Sequence, residues 1–406
     1  MDRRTRGIIA AAFVAQGLAI GSTIGAFGLF VRPVADTFSA TTLQVSAGIS
    51  LITLTLGICG APIGIWLDRG SPRRIMFTGS TLLAFGLLLA SQAGSLFQLA
   101  LTCVLCGSSV PMLGPLTTAA VVSKAVDEER GRALGIANLG IPIGALSFAI
   151  VAGIVIDAAD WRTALQIFSA IVLVVGVTSV AIGIPKDFGG HAETTDVERD
   201  PRNTWTPARL FRTPVFVLIT VALGISMGTN AGWVAHTASY LIDLGTETRN
   251  AGILLGATQG SMVIGTLAFG YLVDRRGSIP ILAMILLTQI VCFGVMLGGP
   301  TIAVVSTCLL VYGISAGGFF PAFTHLLAER FGADNVGRVM GLTNLGLLPF
   351  GFGLPMIGGA LRDSSGSYAS TMVLCSFLLL TGVGVLFALY RLPGGELSPG
   401  DAEPTR

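Results

Sequence analysis

The chain has 406 residues, of which 52% are hydrophobic and only 11% are charged, and its mean hydropathy is +0.79. A soluble protein of this length needs far more charge on its surface, so the composition excludes water as the main solvent. The net charge is only +2 and no long Lys/Arg run occurs, which excludes nucleic acid as a partner. The 54 glycines favour helices that pack closely together in lipid.

Twelve apolar segments follow one another along the chain, each near the roughly 20 residues that a helix needs to cross a bilayer. The first is too long for the core of a signal peptide and no convincing cleavage site follows it, so we expect it in the mature protein. The sequence therefore predicts an all-α membrane protein with twelve transmembrane helices. The predicted spans are Ile8–Phe30, Gln44–Trp66, Ile75–Ser95, Phe97–Ala120, Ala133–Ile156, Ala164–Ile184, Pro214–Tyr240, Ala251–Val273, Ile281–Leu297, Thr301–Ala328, Val339–Ala360 and Ser370–Tyr390.

The distribution of positive charge predicts how the spans are oriented. If the N-terminus is cytoplasmic, the outer loops hold only four of the 24 Lys and Arg residues, and the inner segments hold the remaining 20. Cytoplasmic loops carry such an excess of Lys and Arg. We therefore expect a multi-pass protein of the cell membrane, a bacterial inner membrane, with both termini in the cytoplasm. The four outer residues are Arg32, Arg162, Arg249 and Arg362.

One long polar interruption divides the predicted spans into two sets of six. It is rich in Arg, Asp and Glu and poor in large apolar residues, as a linker is. The sequence predicts an N-terminal six-helix bundle at 1–184, a cytoplasmic linker at 185–213, a C-terminal six-helix bundle at 214–395 and a cytoplasmic tail at 396–406.

The two halves of the chain repeat each other at an offset of 206 residues. Charged and glycine positions coincide at equivalent loops, which scattered composition does not produce. Six spans per repeat is an even number, so the halves enter the membrane with the same polarity and are parallel repeats. Repeats of this kind are expected to hold a solute near the membrane midplane, between the halves. The matched pairs include Gly64 and Gly270, Asp68 and Asp274, Arg69 and Arg275, Pro115 and Pro321, Arg132 and Arg338, Gly153 and Gly359, and Asp157 and Asp363.

The loops after the second and eighth spans carry a motif at equivalent positions. They read GIWLDRGSPRR from Gly64 and GYLVDRRG from Gly270. Both resemble the G-x-x-x-D-R-x-G signature of the major facilitator superfamily, and the resemblance covers essentially the whole chain. In the first copy the glycine, Gly70, comes one residue early, and the second copy has Ser278 and Ile279 where a basic pair is usual.

The resemblance implies the major facilitator fold and a conformational gate at these loops. In the family the loop aspartate engages a neighbouring helix terminus and basic residues, and a carboxylate at a helix N-terminus is stabilised by the helix dipole. The implied gate residues are Gly64, Asp68, Arg69, Arg132, Gly270, Asp274, Arg275 and Arg338.

The segments that open the fifth and eleventh spans are similar to the monocarboxylate and oxalate/formate branch of the superfamily. They read ERGRALGIANLGIPIG from Glu129 and NVGRVMGLTNLG from Asn335. Anion carriers of that branch usually have a buried basic residue, often on the eighth helix, and the span Ala251–Val273 has none. This departure argues against a strongly charged substrate such as a dicarboxylate.

Uncharged polar residues lie in the middle of several spans. A G-x-x-x-G-polar-polar pattern occurs from Gly17 on the first span and, one residue out of register, from Gly224 on the seventh. Equivalent positions of two repeats are where interrupted helices are expected to form a solute site. The alternative is that such residues only hold helices together. The predicted substrate-binding residues are Gln16, Thr23, Asn230, Trp233, Gln259 and Tyr312.

His236 and His325 are the titratable candidates near neutral pH within the spans. His236 lies toward the outer end of the seventh span and His325 toward the inner end of the tenth. Since no carboxylate lies at mid-span, we predict that one of the two takes part in proton coupling, the alternative being a structural role.

The remaining patterns argue against an enzyme and against a channel. Two G-x-S-x-G matches place Ser226 and Ser315 ten residues before a histidine, about 15 Å along a helix, which is too far for a hydrogen bond. Two parallel repeats are typical of a carrier, in which two bodies rock about one central site, and not of a channel with a continuous pore.

We therefore predict a monomeric secondary transporter without cofactor, metal or catalytic residues. It moves a small organic solute, a monocarboxylate with a proton, by alternating access, and its partners are that solute, the proton and the lipid bilayer. The alternative is a proton-coupled exporter of apolar or drug-like compounds.

Overall fold

The computed structural model describes residues 3–126, 130–185, 188, 207–332 and 336–392. Within these residues twelve helices are long and apolar enough to cross a membrane. The twelve-span, all-α prediction is therefore confirmed. The helices are α1 (Arg3–Ile20, a π-helical turn Gly21–Gly25, and Phe27–Phe38), α2 (Thr42–Arg69), α3 (Pro72–Ser91), α4 (Leu96–Leu113 and Pro115–Ala125), α5 (Arg130–Asn138 and Gly140–Ala158), α6 (Trp161–Ile171, a π-helical turn Val172–Gly176, and Val177–Gly183), α7 (Pro214–Asp243), α8 (Thr248–Arg276), α9 (Ser278–Leu297), α10 (Ile302–Gly317 and Phe319–Phe331), α11 (Val336–Ser365) and α12 (Ala369–Arg391).

Most helices extend beyond the apolar segments that predicted them. Charged residues close the apolar segments, whereas a helix continues until its backbone is capped, as at Thr41 and Gln44, whose side chains form a capping box at the start of α2. The predicted linker contains a short helix, Pro207–Arg212, before α7. The rest of the linker, apart from 185, 188 and 213, and the predicted tail lie outside the described residues.

The offset of 206 recurs in the helix boundaries. α2 starts at Thr42 and α8 at Thr248, and α3 and α9 start and end at the same offset. The residues that follow α1 and α7 in the left-handed region, Ser39 (φ 49°) and Gly245 (φ 86°), are also 206 apart. The two halves of the chain therefore repeat each other in structure as well as in sequence.

The π-helical turn of α1 explains the one-residue slip of the glycine pattern. Gly21 and Gly228 are 207 residues apart, whereas Ser39 and Gly245 are 206 apart, so α1 contains one extra residue between these points. A π-bulge inserts one residue into an α-helix, and the turn Gly21–Gly25 lies in this interval. α7 has no such turn and is α-helical throughout Pro214–Asp243. Of the two interruptions expected at these positions, only that of α1 is present.

The described chain divides into two compact units that do not coincide with the two halves of the sequence. Unit 1 comprises residues 1–192, 232–260 and 355–366, and unit 2 comprises 193–231, 261–354 and 367–406. Unit 1 thus contains the N-terminal six helices and one end of each of α7, α8 and α11. The functional division into an N-terminal and a C-terminal bundle remains a prediction.

In unit 1, α1 crosses α5 backbone to backbone. A methyl group on Gly21 would lie 2.6 Å from the carbonyl carbon of Gly144, and one on Gly17 would lie 2.9 Å from the carbonyl oxygen of Gly140. Small residues at a crossing let two helices approach until their backbones touch. Gly17 and Gly21 therefore face α5, not a solute.

In unit 2, the corresponding crossing of α7 and α11 is built differently. Gly224 faces the ring of Phe350, and a methyl group on Gly228 would lie 2.7 Å from both the Phe350 carbonyl oxygen and a methyl carbon of Leu354. Phe350 occupies the position that Gly144 holds in the first repeat. At Gly224 a side chain thus fills the space that backbone fills at Gly17, whereas Gly228 still touches the Phe350 backbone.

Candidate functional site

Three of the predicted substrate-binding residues are buried in unit 1. Gln16 is 1% exposed, Trp233 is 1% exposed and Gln259 is 8% exposed. Within the described residues no hydrogen bond reaches the Oε1 atom of Gln16. A buried amide oxygen without a donor is costly, so Gln16 is suited to accept a hydrogen bond from a solute or water. The Trp233 ring lies 5.6 Å from that of Tyr240.

The fourth residue in unit 1, Thr23, lies in the π-helical turn and its hydroxyl donates to the Ala19 carbonyl. Its neighbour Ser22 likewise donates to the Leu18 carbonyl, at 2.6 Å. Both residues line a cavity inside unit 1 whose walls are mainly apolar. Their hydroxyls are therefore engaged by the backbone of their own helix.

Two predicted residues, Asn230 and Tyr312, come together in unit 2. Tyr312 is 1% exposed, and Asn230 is the side chain that approaches its hydroxyl. Within the described residues the Tyr312 hydroxyl makes no hydrogen bond of standard geometry, and neither does the hydroxyl of Thr229, next to Asn230. Asn230 and Tyr312 form an uncharged polar cluster in which the Tyr312 hydroxyl has hydrogen-bonding capacity to spare.

Fixed charge is rare among the buried side chains. Of the Lys, Arg, Asp and Glu residues whose exposure the structure describes, only Arg330, near the end of α10, is buried. An ionised side chain at the centre of a bilayer costs about 2.5–3.5 kcal/mol on insertion scales. The buried polar groups described above therefore offer hydrogen bonds rather than charge.

His236 lies on α7 in unit 1 and is completely buried. Its Nε2 atom is 2.9 Å from the Pro355 carbonyl oxygen. Because a carbonyl only accepts, Nε2 carries a proton and donates it to this bond. The histidine thus joins α7 to the Pro355 turn of α11.

His325 belongs to a different environment, in unit 2 between α10 and the start of α9. Its Nδ1 atom lies 2.8 Å from the Ser278 hydroxyl and 3.5 Å from a carboxylate oxygen of Glu329, and its Nε2 atom lies 3.9 Å from one of Asp274. Asp274 is one of the predicted gate residues. The structure therefore places this candidate proton carrier beside the gate motif.

The other predicted gate residues show few close contacts. Gly64 has open space where a side chain would be, and Gly270 meets only Pro321, at 4.0 Å. The Arg275 guanidinium lies 4.3 Å from the centre of the Tyr271 ring, and Arg132 is exposed. The side chains of Asp68, Arg69 and Arg338 lie outside the described residues.

Arg73, at the start of α3 and close in sequence to the first gate motif, binds the end of α6. Its guanidinium donates to the carbonyl oxygens of Ile184, at 2.7 Å, and Ala181, at 3.2 Å. These are among the last carbonyls of α6, which lack partners within the helix. The second repeat has Ile279 at this position, which cannot donate.

An ion-pair cluster that the sequence did not predict lies at the end of unit 1 that carries the loop between α1 and α2. We call this end of unit 1 the first-loop end. The Asp243 carboxylate receives two bonds from Arg362, at 2.8 and 3.1 Å, and lies 3.5 Å from Arg32. Both arginines were noted only as charges of the outer loops. Their spacing from Asp243, of 211 and 119 residues, carries no sequence signal.

The next residue, Asp363, caps a helix at the same end. Its carboxylate accepts the backbone N–H groups of Thr42, at 2.9 Å, and Leu43, at 2.8 Å, in the first turn of α2. Gly359 allows the approach, because a methyl group there would lie 2.9 Å from the Leu43 Cα atom. A carboxylate at a helix N-terminus satisfies unpaired donors and complements the dipole.

The repeat-related Asp157 makes no such cap. It is exposed, and the described residues show no hydrogen bond from the first turn of α8 to it. The backbones still touch, since a methyl group on Gly153 would lie 2.8 Å from the Gly252 Cα atom. The repeat conserves the helix contact but only one of its two carboxylate caps.

Asp160 caps α6 at the first-loop end. Its carboxylate accepts the Thr163 backbone N–H at 2.7 Å, and this bond holds the pKa of the Asp160 carboxyl below its usual value. The following Trp161 donates from its indole nitrogen to the Thr37 hydroxyl, at 3.0 Å.

Comparison with known proteins agrees with this architecture. Residues 9–348 match the model of the Major Facilitator Superfamily. Monocarboxylate transporter 13 of Rattus norvegicus is 30% identical over 94% of this chain and 88% of its own length, and monocarboxylate transporter 11 of Mus musculus is 25% identical over 95% and 87%.

Among solved structures, a bacterial homologue of the human lysosomal transporter Spinster, in an inward-facing and occupied conformation, has the same fold. The TM-score is 0.78 at 16% sequence identity, over 96% of this chain and 97% of that one. The family match and the relatives together place the chain near the monocarboxylate branch. The chain therefore belongs to the major facilitator superfamily of transporters.

Proposed function

We propose that this transporter moves a small monocarboxylic acid together with a proton, by alternating access of its two six-helix halves. The named relatives support the substrate class, since two of them are monocarboxylate transporters. We place both termini in the cytoplasm on the distribution of Lys and Arg. The first-loop end is then the outer face.

The observation that carries the proposal is the uncharged polar cluster of Asn230 and Tyr312 in unit 2. A carboxylate that leaves water without a cationic partner loses far more solvation energy than hydrogen bonds alone restore. A carboxylic acid that travels with its proton avoids this cost. The one buried cation among the described residues, Arg330, lies near the end of α10, so binding by the uncharged cluster supports proton symport of a monocarboxylate over transport of a dicarboxylate.

The ion pairs and caps at the first-loop end support alternating access. Asp243 joins α7 to Arg32 of α1 and Arg362 of α11, and Asp363 joins α11 to the start of α2. The charged side chains in these bonds are partly exposed. Exposed pairs of this kind contribute about 0–1 kcal/mol each, so they break and re-form readily. We propose that they close the outer gate.

The test is uptake of labelled lactate and pyruvate by purified protein in proteoliposomes. We expect saturable uptake that an acidic exterior drives, counterflow when the vesicles contain unlabelled acid, and no response to an imposed membrane potential, because acid and proton move together as a neutral pair. Oxalate serves as the dicarboxylate control and is expected not to be transported. Linear, non-exchanging flux would indicate a channel, and extrusion of amphiphilic dyes without acid uptake would indicate the exporter.

A matched pair of variants tests the cluster. Tyr312→Phe removes only the hydroxyl and is expected to raise the KM for lactate, whereas Tyr390→Phe changes a tyrosine that is 65% exposed on α12 and is expected to leave uptake unchanged. An unchanged KM in Tyr312→Phe would remove this residue from the solute site.

The double variant His236→Gln, His325→Gln addresses the coupling proton. If either histidine carries the proton, the response of lactate uptake to the pH gradient is lost. Coupling that survives in the double variant would mean that the proton travels with the acid alone.

A further inference from the structure

A cavity of about 110 Å³ lies inside unit 1. Its walls are formed by α1, α2, α3, α4 and the start of α6, from the mid-membrane Ser22 to Trp161 near the first-loop end. Of the six predicted substrate-binding residues, only Thr23 touches it. The proposed solute site does not account for this space.

The lining offers an occupant few free polar groups, and its one exposed polar side chain, Gln44, lies at the first-loop end and accepts a hydrogen bond from the Thr41 backbone N–H. The hydroxyls of Ser22, Thr23 and Thr102 donate to carbonyls of their own helices, and the Trp161 indole donates to Thr37. A buried water needs two to four polar partners, so a cavity of this kind stays dry. An engineered apolar cavity of about 150 Å³ in another protein binds benzene rather than water.

The second repeat has larger side chains at four positions of this lining. Four lining residues, Leu87, Ala90, Cys103 and Cys106, correspond at the offset of 206 to larger side chains. The larger residues are Phe293, Met296, Leu309 and Tyr312, all at most 3% exposed in unit 2.

The rings of Phe293 and Tyr312 lie 5.5 Å apart, in positions that correspond to Leu87 and Cys106. Four side chains that border the cavity in the first repeat are thus smaller than their counterparts in the second. An empty apolar cavity is destabilising in proportion to its volume, so an occupant stabilises unit 1.

The cavity borders the lipid-facing side of α4. Leu96, Leu99 and Ala100 at the start of α4 line it and are partly exposed, whereas further along the helix Gly48 on α2 packs closely against Cys103, with a methyl group on Gly48 lying 3.3 Å from the Cys103 sulfur. On the outward face of α4, Phe97, Leu101 and Val104 are 72%, 54% and 40% exposed. In a membrane-spanning helix, such apolar side chains face lipid chains.

We propose that the cavity binds the acyl chain of a membrane phospholipid, which enters beside the start of α4. The site is distinct from the solute site and takes a hydrocarbon ligand. The apolar lining, the satisfied hydroxyls and the lipid-facing neighbours all match that chemistry.

The experiment uses Trp161 as a reporter, because it lines the cavity and is only 4% exposed. The other three tryptophans, Trp66, Trp205 and Trp233, are replaced by phenylalanine. The full-length protein is reconstituted in vesicles of dioleoyl phosphatidylcholine or of its chain-brominated analogue. We expect brominated chains to quench Trp161 fluorescence and acrylamide, added from the water, to leave it unchanged.

Filling the cavity with the residues of the second repeat provides the decisive comparison. Ala90→Met, or Cys103→Leu where the first variant fails to fold, is expected to abolish the quenching. Val104→Leu adds a methylene on the lipid-facing side of α4 and is expected to preserve it. Quenching that is equal in the filled variants, or absent in the parent protein, or produced by acrylamide, would overturn the proposal.

Discussion

The two crossings that join the first and fifth helices of each repeat use the same pattern on one side and different residues on the other. α1 and α7 both present glycines four residues apart, at Gly17 and Gly21 and at Gly224 and Gly228. On α5 the partner is Gly144, whereas on α11 it is Phe350.

The residue on the partner helix therefore decides how a G-x-x-x-G face packs. Two glycine faces bring backbones together, and the contact then tolerates no side chain at all. At Gly224 the glycine faces the phenylalanine ring, so this part of the second crossing is a contact between a backbone and a replaceable side chain, while Gly228 still touches the Phe350 backbone. The two crossings consequently differ in how they respond to added atoms.

The largest effect is expected at the backbone crossing. In Gly144→Ala the new methyl group overlaps the Gly17 carbonyl oxygen, which cannot move without shifting α1. We expect destabilisation of about 3 kcal/mol or more, seen as a large fall in melting temperature and loss of a monodisperse peak in detergent. Gly384→Ala, on α12 where no atom lies within 4 Å, is the control and is expected to be neutral or slightly stabilising. Equal behaviour of the two variants would refute the close crossing.

At the second crossing, one substitution is expected to compensate for the loss of stability that the other causes. Gly224→Ala alone places a methyl group against the Phe350 ring, and Phe350→Ala alone leaves part of a ring-sized space, so each costs about 1–3 kcal/mol. Because the two changes relieve each other, the double variant is expected to be more stable than the sum of the single effects. Thermal melting of the four proteins completes a double-mutant cycle. Strict additivity would show that the ring does not pack against Gly224.

A smaller difference between the repeats is expected at their carboxylate caps. Asp363→Asn weakens the bonds to the first turn of α2 and is expected to lower stability by about 1 kcal/mol. Asp157→Asn, at the equivalent position of the first repeat, has no such bonds to weaken and is expected to change the melting temperature little. A reversed order of the two melting temperatures would contradict the asymmetry.

The smallest effect concerns Asp160, which caps α6, whereas the equivalent position before α12 is Gly366. The Thr163 bond depresses the pKa of the folded carboxyl, so its stabilisation is present above the unfolded pKa and is lost as the pH falls through the folded one. We expect Asp160→Ala to cost about 0.5 kcal/mol at neutral pH. In melting curves, the difference from the parent protein should shrink below about pH 4. A difference that is independent of pH would mean that the carboxylate does not cap α6.

Much of the architecture was predictable from the sequence. Apolar length alone predicts twelve spans, because a bilayer of about 30 Å demands the same span from every helix. The repeat predicts parallel halves, and the paired loop motifs indicate the superfamily. Even the π-helical turn of α1 left a signal, the one-residue slip between Gly21 and Gly228, although the slip does not say where the extra residue lies.

The candidate site was less predictable. Asn230 and Tyr312 were named as separate candidates, and the structure brings them together. Thr23 was named for its mid-span hydroxyl, but that hydroxyl binds the backbone of α1. The Asp243 cluster and the Asp363 cap escaped prediction, because their members are separated by 119 to 321 residues and resemble ordinary loop charges.

The sequence by itself determined that lipid surrounds the protein, how many helices cross it and that the two halves repeat each other. These properties follow from composition, from the length of the apolar segments and from the offset of 206. Only the tertiary structure decided which glycines meet backbone and which meet a ring, and which of two equivalent aspartates caps a helix. It also decided that small side chains of one repeat leave a cavity. These outcomes depend on the residue opposite, and a linear pattern does not specify that neighbour.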